Sequence, residues 1–334
     1  MLLFASSSDG DRHTTALVTG TVALGAYLVG AMVRRLRRAR LPRPADLPPA
    51  LNAPVEALEL MEGRARYYAR PGTGTPLVLL HSFNAAASSF EMKPIFDHFA
   101  QTTARPLYAL DWFGFGLSDR PAVHYRPALY RRQLRRFLSE VLHEPADLVA
   151  LSLGCEYAAV TAVEAPVLVR RLVLVAPTGL EGASRTSPFQ RAALAVADGT
   201  GAFELFFYRL TRPDSLRQFY ARQVFREADE VPDALVAYAA QTAQAAGAPH
   251  APRRFIDGSL FLGPEAHAAY LTLPHPTLLL APQDAAGLVQ DFDGLDALTA
   301  RNAEAMQAER LASGLLPHWE GDPAFFERLD AFFA

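Results

Sequence analysis

Four short continuous apolar runs, each followed by a helical pattern, constrain this chain more than any other feature. Pro76–His81, Pro106–Asp111, Asp147–Leu151 and Arg171–Ala176 are too short for buried helices and lack the alternation of a strand with one wet face. Strands buried on both faces and separated by helices imply a mostly parallel sheet, so an α/β fold class with helices on both faces is expected. The intervening helices are Lys93–Ala100, Ala128–His143 and the alanine-rich Leu153–Val163. In the second, Leu134, Phe137, Leu138, Val141 and Leu142 fall on one face. Ahead of them, Ala57–Leu60 and Arg64–Ala69 flank Glu62–Gly63 and read as an antiparallel opening pair. Thr277–Ala281 is a further strand. The last helix has Asp322 as N-cap and Pro323 in its first turn, and it buries Phe325, Phe326, Leu329, Phe332 and Phe333. Between them, about 182–275 carries helical patterns such as Pro188–Ala197 and Ser215–Glu230 but no buried strand, so it reads as a helical lid.

Half of the 334 residues are hydrophobic, enough for one sizeable core, and the net charge of −3 supplies no basic field for nucleic acid. Cys155 is the single cysteine, so a Cys-cluster zinc site and an internal disulfide are excluded. His98, His124, His143, His250, His267 and His275 show no mutual spacing that suggests a metal, and no cofactor is implied.

Thr14–Val33 holds no charged residue and is long enough to span a bilayer. Arg34, Arg35, Arg37, Arg38 and Arg40 follow it, whereas Asp9, Asp11 and Arg12 precede it. By the positive-inside rule this order predicts an uncleaved N-terminal transmembrane helix with the remainder cytoplasmic, residues 1–40 forming the anchor and its basic flank. Translation from Met32 would delete that anchor. Residues 41–54 are Pro-rich and read as a stiff linker, leaving 55–334 as the folded domain.

The strand Asp147–Leu151 runs into Ala150-Leu151-Ser152-Leu153-Gly154 and then a helix. A serine between small residues at a strand-to-helix turn is held so that its hydroxyl projects above the sheet, beside the helix N-terminus. This segment resembles the nucleophile elbow of the α/β-hydrolase family. Leu77-Val78-Leu79-Leu80-His81-Ser82-Phe83-Asn84 is similar to the family's strand ending in His-Gly-x, with Ser82 in place of Gly. Asp111-Trp112-Phe113-Gly114-Phe115-Gly116-Leu117-Ser118-Asp119-Arg120-Pro121 is similar to its D-x-x-G-x-G-x-S-D-x-P loop. The resemblance implies Ser152 as nucleophile, Phe83 and Leu153 backbone N–H groups as the oxyanion hole, and Asp284, after the strand Thr277–Ala281, as the acid. Asp291 and Asp293 are fallback candidates for that acid. His81 is read as a structural hydrogen-bonding group, and Asp111 and Asp119 as turn and cap residues.

The family's G-H-x-P-x-x-E segment is matched by Gly314-Leu315-Leu316-Pro317-His318-Trp319-Glu320, which puts Leu315 where the base normally stands. His318, three residues on, is the candidate replacement. What the resemblance implies is therefore a membrane-tethered serine hydrolase acting by acyl transfer on a small, apolar carbonyl substrate. The alternative is a binding or scaffold protein that has lost its base. A serine at the elbow argues against the dehalogenase and epoxide-hydrolase branches, which use aspartate there.

Overall fold

The computed structural model describes residues 41–181 and 202–334, together with Met32. An eight-stranded sheet runs through it in the order β1-β2-β4-β3-β5-β6-β7-β8. β1 (Val55–Leu60) and β2 (Gly63–Arg70) form the expected hairpin, with Leu60 opposite Gly63. β2 pairs antiparallel with β4 (Leu107–Leu110), and every pairing beyond that is parallel: β4 with β3 (Leu77–Leu80), then β5 (Ala146–Leu151), β6 (Val169–Val175) and β7 (Thr277–Pro282). All residues of β3, β5 and β7 are buried. That is the physical origin of the continuous apolar runs.

β8 (Met306–Leu311) pairs parallel with β7 and is absent from the sequence reading. Only Met306 and Leu311 at its ends are buried, with Gln307, Glu309 and Arg310 between them. An edge strand has few positions that must be apolar, so neither a continuous run nor a clean alternation marks it.

Two pairs of helices pack together. α1 (Lys93–Thr102) lies beside α10 (Pro323–Phe333): the Phe99 and Phe333 rings meet edge to face, and His98 Nε2 bonds Asp330 across 2.8 Å. α2 (Pro127–Arg136, continued by a π turn over Phe137–Val141) packs against α3 (Leu153–Glu164). α3 is buried from Leu153 to Ala162, and its alanines permit the close approach to the sheet that the sequence suggests. Among the described residues, 202–275 contains helices and no strand: α4 (Ala202–Leu210), α5 (Pro213–Gln223), α6 (Asp233–Ala243), α7 (His250–Ile256) and α8 (Pro264–Thr272). The helical pattern at Pro188–Ala197 lies outside the described residues. α8 packs directly on α3 and is part of the helical layer. α9 (Leu295–Arg301) lies between β7 and β8.

Two expectations are corrected. Among the described residues no helix is long and apolar enough to cross a membrane, against the expected N-terminal transmembrane helix, so the membrane anchoring inferred from it is not supported. Thr14, Thr15, Thr19, Thr21, Gly20, Gly25 and Gly30 dilute that stretch, which, Met32 apart, lies outside the described residues. The stretch 41–54 is also no free linker from Leu47 onward. Leu47, Ala50 and Leu51 are buried, Ala50 N–H donates to the Tyr68 hydroxyl, and the Tyr238 hydroxyl donates to Pro48 O.

Candidate functional site

Ser152 closes β5 at φ 53°, ψ −122°, a conformation that costs an L residue of order 1–3 kcal/mol and is held only where its surroundings impose it. Its N–H donates to Val175 O on the neighbouring strand, and its own carbonyl accepts from Cys155 N–H as α3 begins. The hydroxyl caps nothing at the helix start, leaving it available above the sheet. Gly154 explains the tightness of the turn, since a Cβ there would stand 2.8 Å from His81 O. Cys155 turns its thiol inward onto Ala150 O and Val175 O, and burial pushes its pKa up, which disfavours the thiolate a nucleophile needs.

The loop after β3 is fixed by aromatic packing and by one buried carboxylate. The Phe83 ring lies against Trp112, Phe115, Tyr130 and Tyr157. Ser82 N–H donates to Glu91 Oε2 at 2.9 Å, and Asn84 Nδ2 donates to Glu91 Oε1 at 2.6 Å and to Ser82 Oγ. Glu91 thus supplies the anchoring of a loop in which Ser82 replaces the more compact glycine. The Phe83 N–H has no backbone acceptor among the described residues. Leu153, as the first residue of α3, has no intrahelical partner for its own N–H.

His81 and the Asp111–Pro121 loop are structural. Trp112 N–H donates to His81 Nε2, so Nδ1 carries the proton that bonds Ser82 O, and desolvation pushes the imidazole pKa down to about 3. Asp111 accepts from Ser89 N–H and Leu117 N–H, while Asp119 accepts from Arg64 N–H. Gly116 is required here because a Cβ would sit 2.1 Å from the Asp111 carboxyl carbon. Arg120 continues the network to the lid, bonding Gly116 O and Thr242 O of α6.

Ser152 lines a small cavity of about 160 Å³, whose walls come from the β3 loop, α5 and the segments after β7 and β8. Phe83, Phe219, Tyr220, Phe255 and Leu315 make it predominantly apolar, with Glu91 as its one carboxyl group. Lid residues therefore stand over the carboxyl end of β5, where open α/β sheets place ligands.

The proposed triad partners are not gathered there. Asp284 lines a separate cavity of about 540 Å³ with Arg222, Arg226 and Ser313, and its Oδ1 accepts from Ala286 N–H. Between the two cavities runs the end of α5 and the turn after it. Val289 N–H donates to Gln223 O, Leu315 N–H donates to Val224 O at 2.7 Å, and Arg226 N–H reaches Glu320. Gly314 permits this approach, because a Cβ there would meet Val224 O at 2.3 Å. Leu315 faces the Ser152 cavity, and His318 is not among its lining residues. His318 Nε2 instead donates to Glu91 O at 2.8 Å beside Trp319 Nε1, its Nδ1 has no partner among the described residues, and its ring lies on Phe325. Asp291 and Asp293 do not line the Ser152 cavity either. Sequence reasoning missed Glu91, for which no motif or spacing gives a signal. Among the described residues no group of three His, Cys, Asp or Glu side chains is placed to hold a metal.

Burial pushes the His318 pKa down from 6.5 to about 4. The unfolded chain therefore binds more protons between these values, and stability present above pH 6.5 is lost as pH falls toward 4. Glu91 and Asp111, whose pKa values burial raises, titrate with the opposite sign, so the measurement is a comparison. The stability advantage of wild type over His318→Asn, from denaturant melts, is expected to shrink by roughly 3 kcal/mol between pH 7 and pH 4, at about 1.4 kcal/mol per pKa unit. A constant difference would show that His318 is not held neutral.

With this geometry in place, comparison with known proteins gives the class. Residues 77–329 match the model of the Alpha/beta hydrolase family, and the chain belongs to that family. A curated relative, 2-hydroxymuconate semialdehyde hydrolase of Pseudomonas sp. (strain CF600), is 32% identical over 111 residues, which is 33% of this chain and 38% of that protein. The match thus spans well under half the relative's length. Among solved structures, a probable hydrolytic enzyme from Pseudomonas aeruginosa PAO1 superposes with TM-score 0.62 at 20% identity, covering 89% of this chain and 99% of the other. A meta-cleavage product hydrolase from Pseudomonas fluorescens IP01 gives 0.58 at 17% identity, covering 83% and 97%. At such identities the superpositions speak to the fold.

Proposed function

We propose that this chain hydrolyses a small carbonyl compound at Ser152. The attacking hydroxyl forms a bond to the carbonyl carbon, and the Phe83 and Leu153 N–H groups receive the developing oxyanion. The observation that carries this reading is the strained elbow, which costs stability and places an uncapped hydroxyl in an apolar cavity. The names of the relatives, hydrolases of 2-hydroxymuconate semialdehyde and of meta-cleavage products, support hydrolysis as the reaction class. The cavity volume favours a short acyl or alkyl group over a long chain. An Asp284–His318 relay would require His318 to leave Glu91 O and the α5 end to move from between the two cavities.

A second reading is favoured by Leu315: a protein that holds a carbonyl ligand on the same N–H groups without turning it over. Fluorophosphonate labelling with peptide mapping separates the two. Label on Ser152, with p-nitrophenyl acetate hydrolysed faster than the decanoate, is expected. An unlabelled, folded protein that still binds a small ketone would favour the binding reading.

A further inference from the structure

We infer that Glu91 is the general base and acid of this site, taking and returning the Ser152 proton where the fold's usual imidazole has been replaced by Leu315. The inference rests on Ser152 being the nucleophile. A general base must first be within reach of the proton, directly or through one water. Among the side chains lining the Ser152 cavity, Glu91 and Tyr220 are the ionisable ones. Tyr220 is held protonated, because burial and the nearby Glu91 charge both raise its pKa. Gln290 is committed through Nε2 to Ala176 O and Pro177 O, and an amide is no base in any case. His318 points Nε2 at the Glu91 backbone, away from the role. Glu91 remains.

Its carboxylate is held in the wall of the cavity that Ser152 also lines. Ser82 N–H holds one oxygen and Asn84 Nδ2 the other, which leaves each with a further lone pair. The same two bonds tie the carboxylate to the loop that carries the Phe83 N–H, so base and oxyanion donor share one rigid support. Buried and with no cation lining the cavity, the carboxyl has a pKa raised above 4.5, which makes its anion a stronger base than a surface carboxylate. The groups around it are Tyr220 from α5, Ser82 and Asn84 from the β3 loop, and His318 and Trp319 from the β8 loop, which bond its backbone oxygen.

The step balances without a further reagent except water. As Ser152 Oγ bonds to the carbonyl carbon, its proton passes to the Glu91 carboxylate and the carbonyl π pair moves onto oxygen. On collapse the bond to the leaving alkoxide breaks, and Glu91 returns the proton to that oxygen. Water then attacks the acyl-serine, giving its proton to Glu91; the Ser152 ester bond breaks, Oγ takes the proton back, and the carboxylic acid leaves.

The test measures p-nitrophenyl acetate hydrolysis and fluorophosphonate labelling against pH in wild type, Glu91→Gln, Glu91→Asp, His318→Asn and Ser152→Ala. The carboxylate form is the active one, so the wild-type rate is expected to rise with pH through a midpoint above 4.5 and then level. Glu91→Gln is expected to lower kcat by about 100-fold or more with KM little changed and to abolish that rise, and Glu91→Asp to recover part of the rate. His318→Asn keeps the pH rise. A folded Glu91→Gln protein with the wild-type rate and profile overturns the inference. If that variant does not fold, the wild-type and His318→Asn profiles decide: a rise retained in both supports Glu91, and its absence overturns the assignment. Label that maps to Ser152 but ignores Glu91 removes only this inference, whereas no label on Ser152 removes the proposed function beneath it.

Discussion

Ser152→Ala is expected to bring fluorophosphonate labelling and ester hydrolysis to background, and Ser152→Gly to do the same while making the protein more stable. The first half follows from chemistry: removing the hydroxyl of an acting nucleophile costs orders of magnitude that neighbouring groups do not recover. The second half follows from backbone. At φ 53° the serine is strained by its Cβ, and glycine relieves that strain at an entropic cost of about 0.5–1 kcal/mol. The net gain should be about 1 kcal/mol, seen as a rise of roughly 2–4 °C in Tm. Alanine keeps the Cβ and should leave Tm nearly unchanged. The combination matters more than either result, because a strained residue that buys no activity has no reason to be tolerated. Undiminished labelling in Ser152→Ala would place the reactive group elsewhere. A Tm lowered in Ser152→Gly would mean that the turn is not strained as its dihedral angles indicate.

Those parts of the fold whose residues are buried on both sides were legible in the sequence. β3, β5, β6 and β7 are written as apolar runs because they have sheet neighbours on either side and helices over their faces. The elbow was equally legible, since its geometry depends on the consecutive residues Ala150 to Gly154 and on Gly154 passing close to His81 O. β8 was not, because an edge strand tolerates Gln307, Glu309 and Arg310. The composition of the site was legible only in part. That Asp284 follows β7 and that Leu315 stands in the segment ahead of the last helix can be read from order along the chain. That the end of α5 passes between the β7 and β8 loops, bonding Leu315 and Val289 through Val224 and Gln223, depends on the tertiary path of the lid. Glu91 illustrates the same limit. One glutamate just ahead of a helix gives no sign that its carboxylate will be buried under a loop seven to nine residues earlier, held by Ser82 and Asn84.

His318→Ala is expected to separate stability from chemistry. The imidazole is 3% exposed, packs on Phe325 and donates Nε2 to Glu91 O. Truncation leaves a void in a close-packed region and removes one hydrogen bond, together worth about 2–4 kcal/mol, or a fall in Tm of roughly 4–16 °C. Trp319 Nε1 still donates to Glu91 O, so that oxygen is not left bare, and the Glu91 carboxylate keeps its bonds from Ser82 and Asn84. Labelling of Ser152 at a temperature where the variant is folded should therefore change by less than about tenfold, far short of the loss of 10² to 10⁴ that follows removal of a general base. The opposite result has a specific meaning. If His318→Ala and Ser152→Ala lose labelling equally, with both proteins folded, the α5 end must move aside on substrate binding so that His318 reaches the serine, and Asp284→Ala should then fail in the same way. Loss in His318→Ala without loss in Asp284→Ala would leave His318 acting alone, with its Nδ1 still lacking a partner.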